Sequence, residues 1–212
     1  TLLWHCHRAS CGFRGRSGSR STGMDSARTK GVECRGVVGR DYVRTATEIP
    51  STYREQLSTQ LYITDRHINK WQLGWNEQSS RLVQPVFDPE GEVLGCQLRA
   101  LDGRQPKAIT HTEQGAMSWY INRVTTDLII VEDIFSAIRV ADYASSVALL
   151  STHLNDERIA KIKELGFSRI RLALDYDAWR QTIGYVKHYR NQLRLEPMKI
   201  TKDFKNMSPT EL

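Results

Sequence analysis

With 212 residues, 40% of them hydrophobic and 25% charged, the chain can hold one sizeable domain or two small ones. No uninterrupted apolar run of about 18 residues is present, which excludes a transmembrane helix, and no charged-then-apolar leader points to export, so an intracellular protein is expected. The whole formal charge of +6 lies in residues 1–47, where nine Lys/Arg face three Asp/Glu. A basic, Gly/Ser-rich leader of this kind suits a polyanionic partner as well as it suits a solvated linker.

The chain starts with Thr rather than Met, as expected of a piece of a longer protein. From Trp4 to Gly15 it carries Cys6 and Cys11, with four residues between them, beside glycine and an aromatic, the pattern of one knuckle of a zinc ribbon. Zinc takes four ligands in a tetrahedron, commonly as two such pairs, and only one pair is here. His5 and His7 crowd Cys6, and Cys34 lies across a long arm, so zinc is expected to be held weakly or not at all. The four cysteines show no even framework, which agrees with a reducing compartment. Arg16 to Arg40 lacks periodicity and reads as a linker or an arm that orders on binding. Pro50 ends it. Ser51 is placed to cap a helix whose apolar face is Leu57, Leu61 and Tyr62, and Thr64 to cap a shorter one through Ile68 and Trp71.

Arg81 to Leu101 changes period. Leu82 to Phe87 and Val93 to Arg99 read as two strands, and Asp88-Pro89-Glu90-Gly91 between them as a tight turn. The hairpin brings Arg81 and Arg99 near each other, as a phosphate-facing patch or a solvated edge. Cys96 reads as a small core residue. Pro106-Lys107 then leads into Ala108-Ile109.

The next stretch alternates strand and helix. Leu128 to Val131 is a short apolar run, as in a buried parallel strand, and stops at Glu132-Asp133. Ile134 to Tyr143 reads as an amphipathic helix, Val147 to Leu150 as a strand, Glu157 to Leu165 as a helix ended by Gly166, and Ile170 to Leu174 as a third strand ending at Asp175-Tyr176-Asp177. A helix over Trp179 to Leu193 and a last strand at Met198 to Ile200 follow, then Asp203. In such units the carboxyl ends of parallel strands share one edge of the sheet. Glu132, Asp175 and Asp177 should therefore gather where hard divalent cations can be held. The Asp-x-Asp spacing turns both carboxylates the same way in an extended segment. The competing reading is that Asp133 or Asp175 caps the following helix.

Leu128 to Ala137, Leu172 to Ala178 and Lys202-Asp203-Phe204-Lys205 together resemble a TOPRIM domain, the catalytic fold shared by bacterial-type primases, topoisomerases and some nucleases. The hairpin with Arg81 and Arg99, followed by Pro106-Lys107, resembles the basic subdomain that precedes TOPRIM in bacterial and bacteriophage primases. The Trp4–Gly15 knuckle resembles the second half of the primase zinc ribbon. The resemblance implies an α/β chain divided into a partial zinc-ribbon knuckle (1–15), a basic linker (16–48), a small α+β basic subdomain (49–122) and a TOPRIM domain with a mostly parallel sheet flanked by helices (123–212). Asp133 stands where the family usually has glycine.

What the resemblance implies for function is a DNA primase: short RNA primers made on single-stranded DNA from ribonucleoside triphosphates, by metal-dependent nucleotidyl transfer, in the cytoplasm of a bacterial or phage-infected cell. Glu132, Asp175 and Asp177 would hold Mg²⁺ or Mn²⁺, with Asp203 as a further ligand. Arg81, Arg99, Lys107 and Lys202 would bind nucleotide or DNA, Lys107 acting in catalysis. Unwinding would fall to a separate replicative helicase. Two other readings stand beside it: a catalytically weak TOPRIM accessory that binds DNA or a helicase, and a TOPRIM nuclease.

Overall fold

The computed structural model describes residues 2–5 and 14–17 by their backbone and residues 37–212 in full. Strands β1 (Leu2–His5) and β2 (Arg14–Ser17) pair antiparallel, Leu2 opposite Ser17 and His5 opposite Arg14. Cys6, Cys11 and Cys34, the sulfur donors proposed for zinc, lie outside the described residues.

Helix α1 spans residues 37–44, inside the stretch whose composition reads as linker. Paired β-branched residues and a glycine give it no helical signature of its own. What holds it is contact. A Cβ on Gly39 would sit 2.8 Å from the Cα of Gly95 and 2.9 Å from the Cys96 nitrogen, so only glycine lets α1 approach this closely. Tyr42 and Val43 of α1 cover Val83, Cys96 and Leu98. Burial pushes the Cys96 thiol up to about 12, as befits a small core residue.

The sheet under α1 is antiparallel, in the order β3 (Gly74–Asn76), β4 (Arg81–Phe87), β5 (Val93–Arg99), β6 (Ala108–His111). The β4–β5 hairpin is the expected one, except that β4 begins a residue earlier, at Arg81, with a register shift at Val86/Phe87 and Gly91 at φ +95° in the turn. All seven residues of β4 are buried, because both faces are covered. Val83 points to α1, while Leu82 and Val86 point into the main core.

Helices α2 (Ser51–Leu61) and α3 (Asp65–Lys70) precede this sheet. Pro50, not Ser51, occupies the N-cap of α2, and Ser51 is its first helical residue. At α3 the Thr64 N–H donates to His67 Nδ1 (3.0 Å). The other ring nitrogen of His67 meets Asp142 at 2.8 Å.

The second sheet runs β11 (Leu195–Pro197), β10 (Arg169–Leu172), β8 (Asp127–Val131), β9 (Ser145–Ala148), β7 (Ser118–Tyr120), parallel except for β7 at its edge. The last strand is Leu195–Pro197 rather than Met198 to Ile200. Pro197 is tolerated there because β11 is an edge strand. Alternation along β8 sorts the two faces. Leu128 and Ile130 pack with Ile159 and Ile162 of α5 (Asp156–Glu164) and Tyr189 of α6 (Trp179–Tyr189). Ile129 and Val131 pack with Ala137 and Ile138 of α4 (Ile134–Val140) and with Leu82 and Val86 of the first sheet. The two sheets thus share one core. No helix among the described residues is long and apolar enough to cross a membrane.

Candidate active site

Glu132 follows β8 directly. Its carbonyl accepts from the Leu150 N–H (2.9 Å), and Leu150 takes a left-handed φ of 59°, costly for leucine, to make that bond. At the next strand the Ala173 N–H donates to the Ile130 carbonyl (2.9 Å), and the chain leaves the sheet at Asp175, ahead of a 3-10 turn, Tyr176–Ala178. Asp203 precedes a second 3-10 turn, Phe204–Asn206, and its Oδ1 accepts from the Tyr176 N–H (3.2 Å). The Asp-x-Asp loop and the tail are therefore joined through Asp203.

Asp133 is a helix cap. Its Oδ1 accepts from the N–H groups of Phe135 (3.0 Å) and Ser136 (3.2 Å), and its Oδ2 from Ser136 Oγ (2.9 Å) and Lys205 Nζ (2.7 Å). Burial would raise its pKa, but the Lys205 charge and these donors hold it below the usual carboxylate range. Asp175, by contrast, caps nothing with its side chain.

Sequence reasoning missed Lys205 as a site residue. Its ammonium lies 2.7 Å from Asp133, 2.9 Å from Asp203 and 3.6 Å from Asp175, with the side chain only 12% exposed. Burial works against its charge and the three carboxylates outweigh that, so its pKa is raised. The 3-10 turn after Asp203 folds Lys205 back onto the carboxylates. The readable signal was the spacing, a lysine two residues past Asp203.

Five carboxylates, those of Glu132, Asp133, Asp175, Asp177 and Asp203, act on one another here, against the cations of Lys205 and Arg99. Arg99 comes from the other sheet. Its guanidinium lies 5.6 Å from the Phe135 ring centre and feels Asp133 and Asp175. The negative excess falls on Glu132, which is half-buried and has no hydrogen-bond or ion-pair partner for its side chain among the described residues. Burial first, then Asp175 and Asp133, push it up to about 7, with Lys205 opposing. Burial likewise raises Asp175. Asp177 is exposed.

The other basic residues lie elsewhere. Arg81 is 5% exposed and its Nη1 donates to the Pro106 carbonyl (2.8 Å), which fixes the loop before Lys107. Lys107 is exposed, and its backbone N–H donates to Gln105 Oε1 (3.2 Å). Lys202 turns away to Glu211 (2.7 Å).

Whether these residues fit a metal ion turns on charge and donor type. The donors are hard oxygens and the negative charge is in excess, which suits Mg²⁺ or Mn²⁺. Among the described residues no group of three His, Cys, Asp or Glu is arranged to close on an ion. Mg²⁺ needs no such cage, since it keeps waters and takes phosphate oxygens alongside one or two carboxylates. Glu132, Asp175 and Asp177 could supply those.

A parallel sheet with one antiparallel edge strand, acidic residues at its carboxyl edge and a preceding antiparallel sheet form a mixed α/β fold that is shared with solved primase catalytic domains. Among solved structures, the chain is similar to a DnaG primase catalytic domain bound to single-stranded DNA (TM-score 0.63, 14% identity, covering 88% of this chain and 76% of that one). It is also similar to the zinc-binding and RNA polymerase domains of Aquifex aeolicus primase (0.60, 15%, 85% and 57%). A third match is the RNA polymerase domain of Mycobacterium tuberculosis primase DnaG in complex with double-stranded DNA (0.58, 14%, 87% and 76%). By sequence, no family model and no curated protein matches.

Proposed function

We propose that the chain is the catalytic part of a DNA primase, a nucleotidyltransferase that joins ribonucleotides on a single-stranded DNA template. The observation that carries this reading is the unpaired Glu132 carboxylate at the strand edge, beside Asp175 and Asp177, in a cluster whose Asp133 and Asp175 feel Arg99 from the neighbouring sheet. Structures of the same fold hold single-stranded or double-stranded DNA, which supports a nucleic-acid substrate.

Glu132, Asp175 and Asp177 would hold Mg²⁺ or Mn²⁺, with Asp203 tied to the Asp-x-Asp loop as a supporting residue. Bound there, the metal would lower the pKa of the primer 3′-hydroxyl and neutralise triphosphate oxygens. The protein's own share is positioning and charge. Arg99, held over Phe135, presents a fixed cation at the edge of the cluster, where a triphosphate would bring negative charge. Lys107, exposed beyond the loop that Arg81 holds, is free to follow a phosphate. Duplex unwinding is assigned to a separate helicase. Zinc at Cys6 and Cys11 is left to a complete ribbon.

The test is primer synthesis with labelled ribonucleoside triphosphates, a single-stranded template and Mg²⁺. Wild type should make short RNA, and Asp175→Asn and Asp177→Asn should fold yet lose activity by orders of magnitude. Near-wild-type synthesis by both variants would sink the assignment. Lys205 among the carboxylates favours a second reading, a catalytically weak accessory that binds DNA. DNA binding without synthesis would establish that one, and template degradation would point to a nuclease.

A further inference from the structure

The carboxylates divide into two sets by what they touch. Glu132 and Asp177 have no side-chain cation within ion-pair distance among the described residues. Asp133, Asp175 and Asp203 surround the Lys205 ammonium at 2.7, 3.6 and 2.9 Å. Asp133 and Asp203 are themselves 14% and 13% exposed, so neither can discharge its field into water. Three carboxylates from three chain segments, converging on one buried point, leave there a negative charge that a cation must balance. The point is filled by an ammonium whose backbone the Phe204–Asn206 turn fixes in place.

We propose that Lys205 is a built-in cation that takes one of the divalent-ion positions of this cluster. Metal is left only to the outer set, Glu132 and Asp177 with the free side of Asp175. The inference rests on the reading of the cluster as a metal-dependent site and adds to it a residue that limits how many ions the site accepts. Lys205 is a positioning residue: it orients Asp175 and Asp203 through charge and touches no substrate. Because its cation is covalently attached, that position stays filled at any metal concentration.

The test is Mn²⁺ binding, by titration calorimetry and by the paramagnetic signal of free Mn²⁺, on the whole chain without nucleotide. Lys205→Met should gain an Mn²⁺ site that wild type lacks, and its melting temperature should rise with Mn²⁺ by several degrees more than that of wild type. Adding Asp203→Asn to Lys205→Met should abolish the gained site. Lys205→Arg, which keeps the charge, should gain none. If Lys205→Met is unfolded in chelator, Lys205→Gln, whose amide can still donate to Asp133, carries the same measurement.

Equal Mn²⁺ stoichiometry and equal melting shifts in wild type and the neutral variants would overturn the inference and leave Lys205 a structural ion pair. The two readings fail separately. A gained site in a chain that makes no primers keeps the built-in cation and removes the polymerase. Primer synthesis by wild type, with no gained site in the variants, does the reverse.

Discussion

Glu132 is where the charge imbalance of the site becomes measurable without any substrate. Its pKa lies at about 7 against an ordinary 4.5, through burial and then Asp175 and Asp133. A carboxyl whose folded pKa is raised supports folding fully below pH 4.5 and loses that support as pH climbs through 7. Metal-free wild type should therefore be less stable at pH 8 than Glu132→Gln, by about 1–2 kcal/mol once the group's half-exposure is discounted. At pH 5, where Glu132 is mostly protonated in the folded state, the gap should largely close. Urea unfolding in chelator at the two pH values checks this, and an unchanged gap would show that Glu132 is not repelled by its neighbours. The strand-end position of Glu132 could be read from the apolar run before it. Its lack of a partner could not, because that depends on where Asp133 spends its oxygens.

At the scale of elements, α4 begins at a carboxylate with two duties. Asp133 caps the helix and receives Lys205. Asn can cap but cannot pair with an ammonium, whereas Ala can do neither. Asp133→Asn should cost less than Asp133→Ala, which loses about 1 kcal/mol of capping besides the buried ion pair, for a total of about 3–5 kcal/mol. Denaturant midpoints of the two variants decide it, and equal losses would mean that the cap contributes nothing. The start of α4 was legible from its apolar spacing, and Asp133 as a cap was one of two open readings. Lys202 was named for nucleotide or DNA binding and pairs with Glu211, while the 3-10 turn brings Lys205 to Asp203. Helix α1 was illegible because its stability comes from the glycine contact at Gly39 and from Tyr42 and Val43, not from propensity. β7 was missed because a three-residue edge strand is too short to show a period.

For the whole molecule, the order of strands and helices was largely in the sequence, but the sharing of one core was not. An apolar face announces that it needs cover without saying what covers it. Here Leu82 and Val86 of the antiparallel sheet meet Ile129 and Val131 of the parallel one. Arg139, 3% exposed, donates from Nη2 to the Met207 carbonyl (3.1 Å), and its guanidinium lies 5.4 Å from the Tyr62 ring centre, tying α4 to both ends of the fold. The two sheets should then unfold together. Fluorescence from Trp75 in β3 and from Trp119 in β7, each isolated by replacing the other tryptophans with Phe, should give the same urea midpoint. Separated midpoints would mean that the sheets are independent. The tail carries a different consequence. Phe204 and Met207 are inside the core, and Lys202 and Lys205 are both held by carboxylates. Trypsin must draw a length of chain out of the fold before it can cut after either lysine. Cleavage in the tail should therefore wait for global opening and slow as urea is withdrawn, while cleavage after exposed Arg123 in the loop before β8 proceeds in the native state.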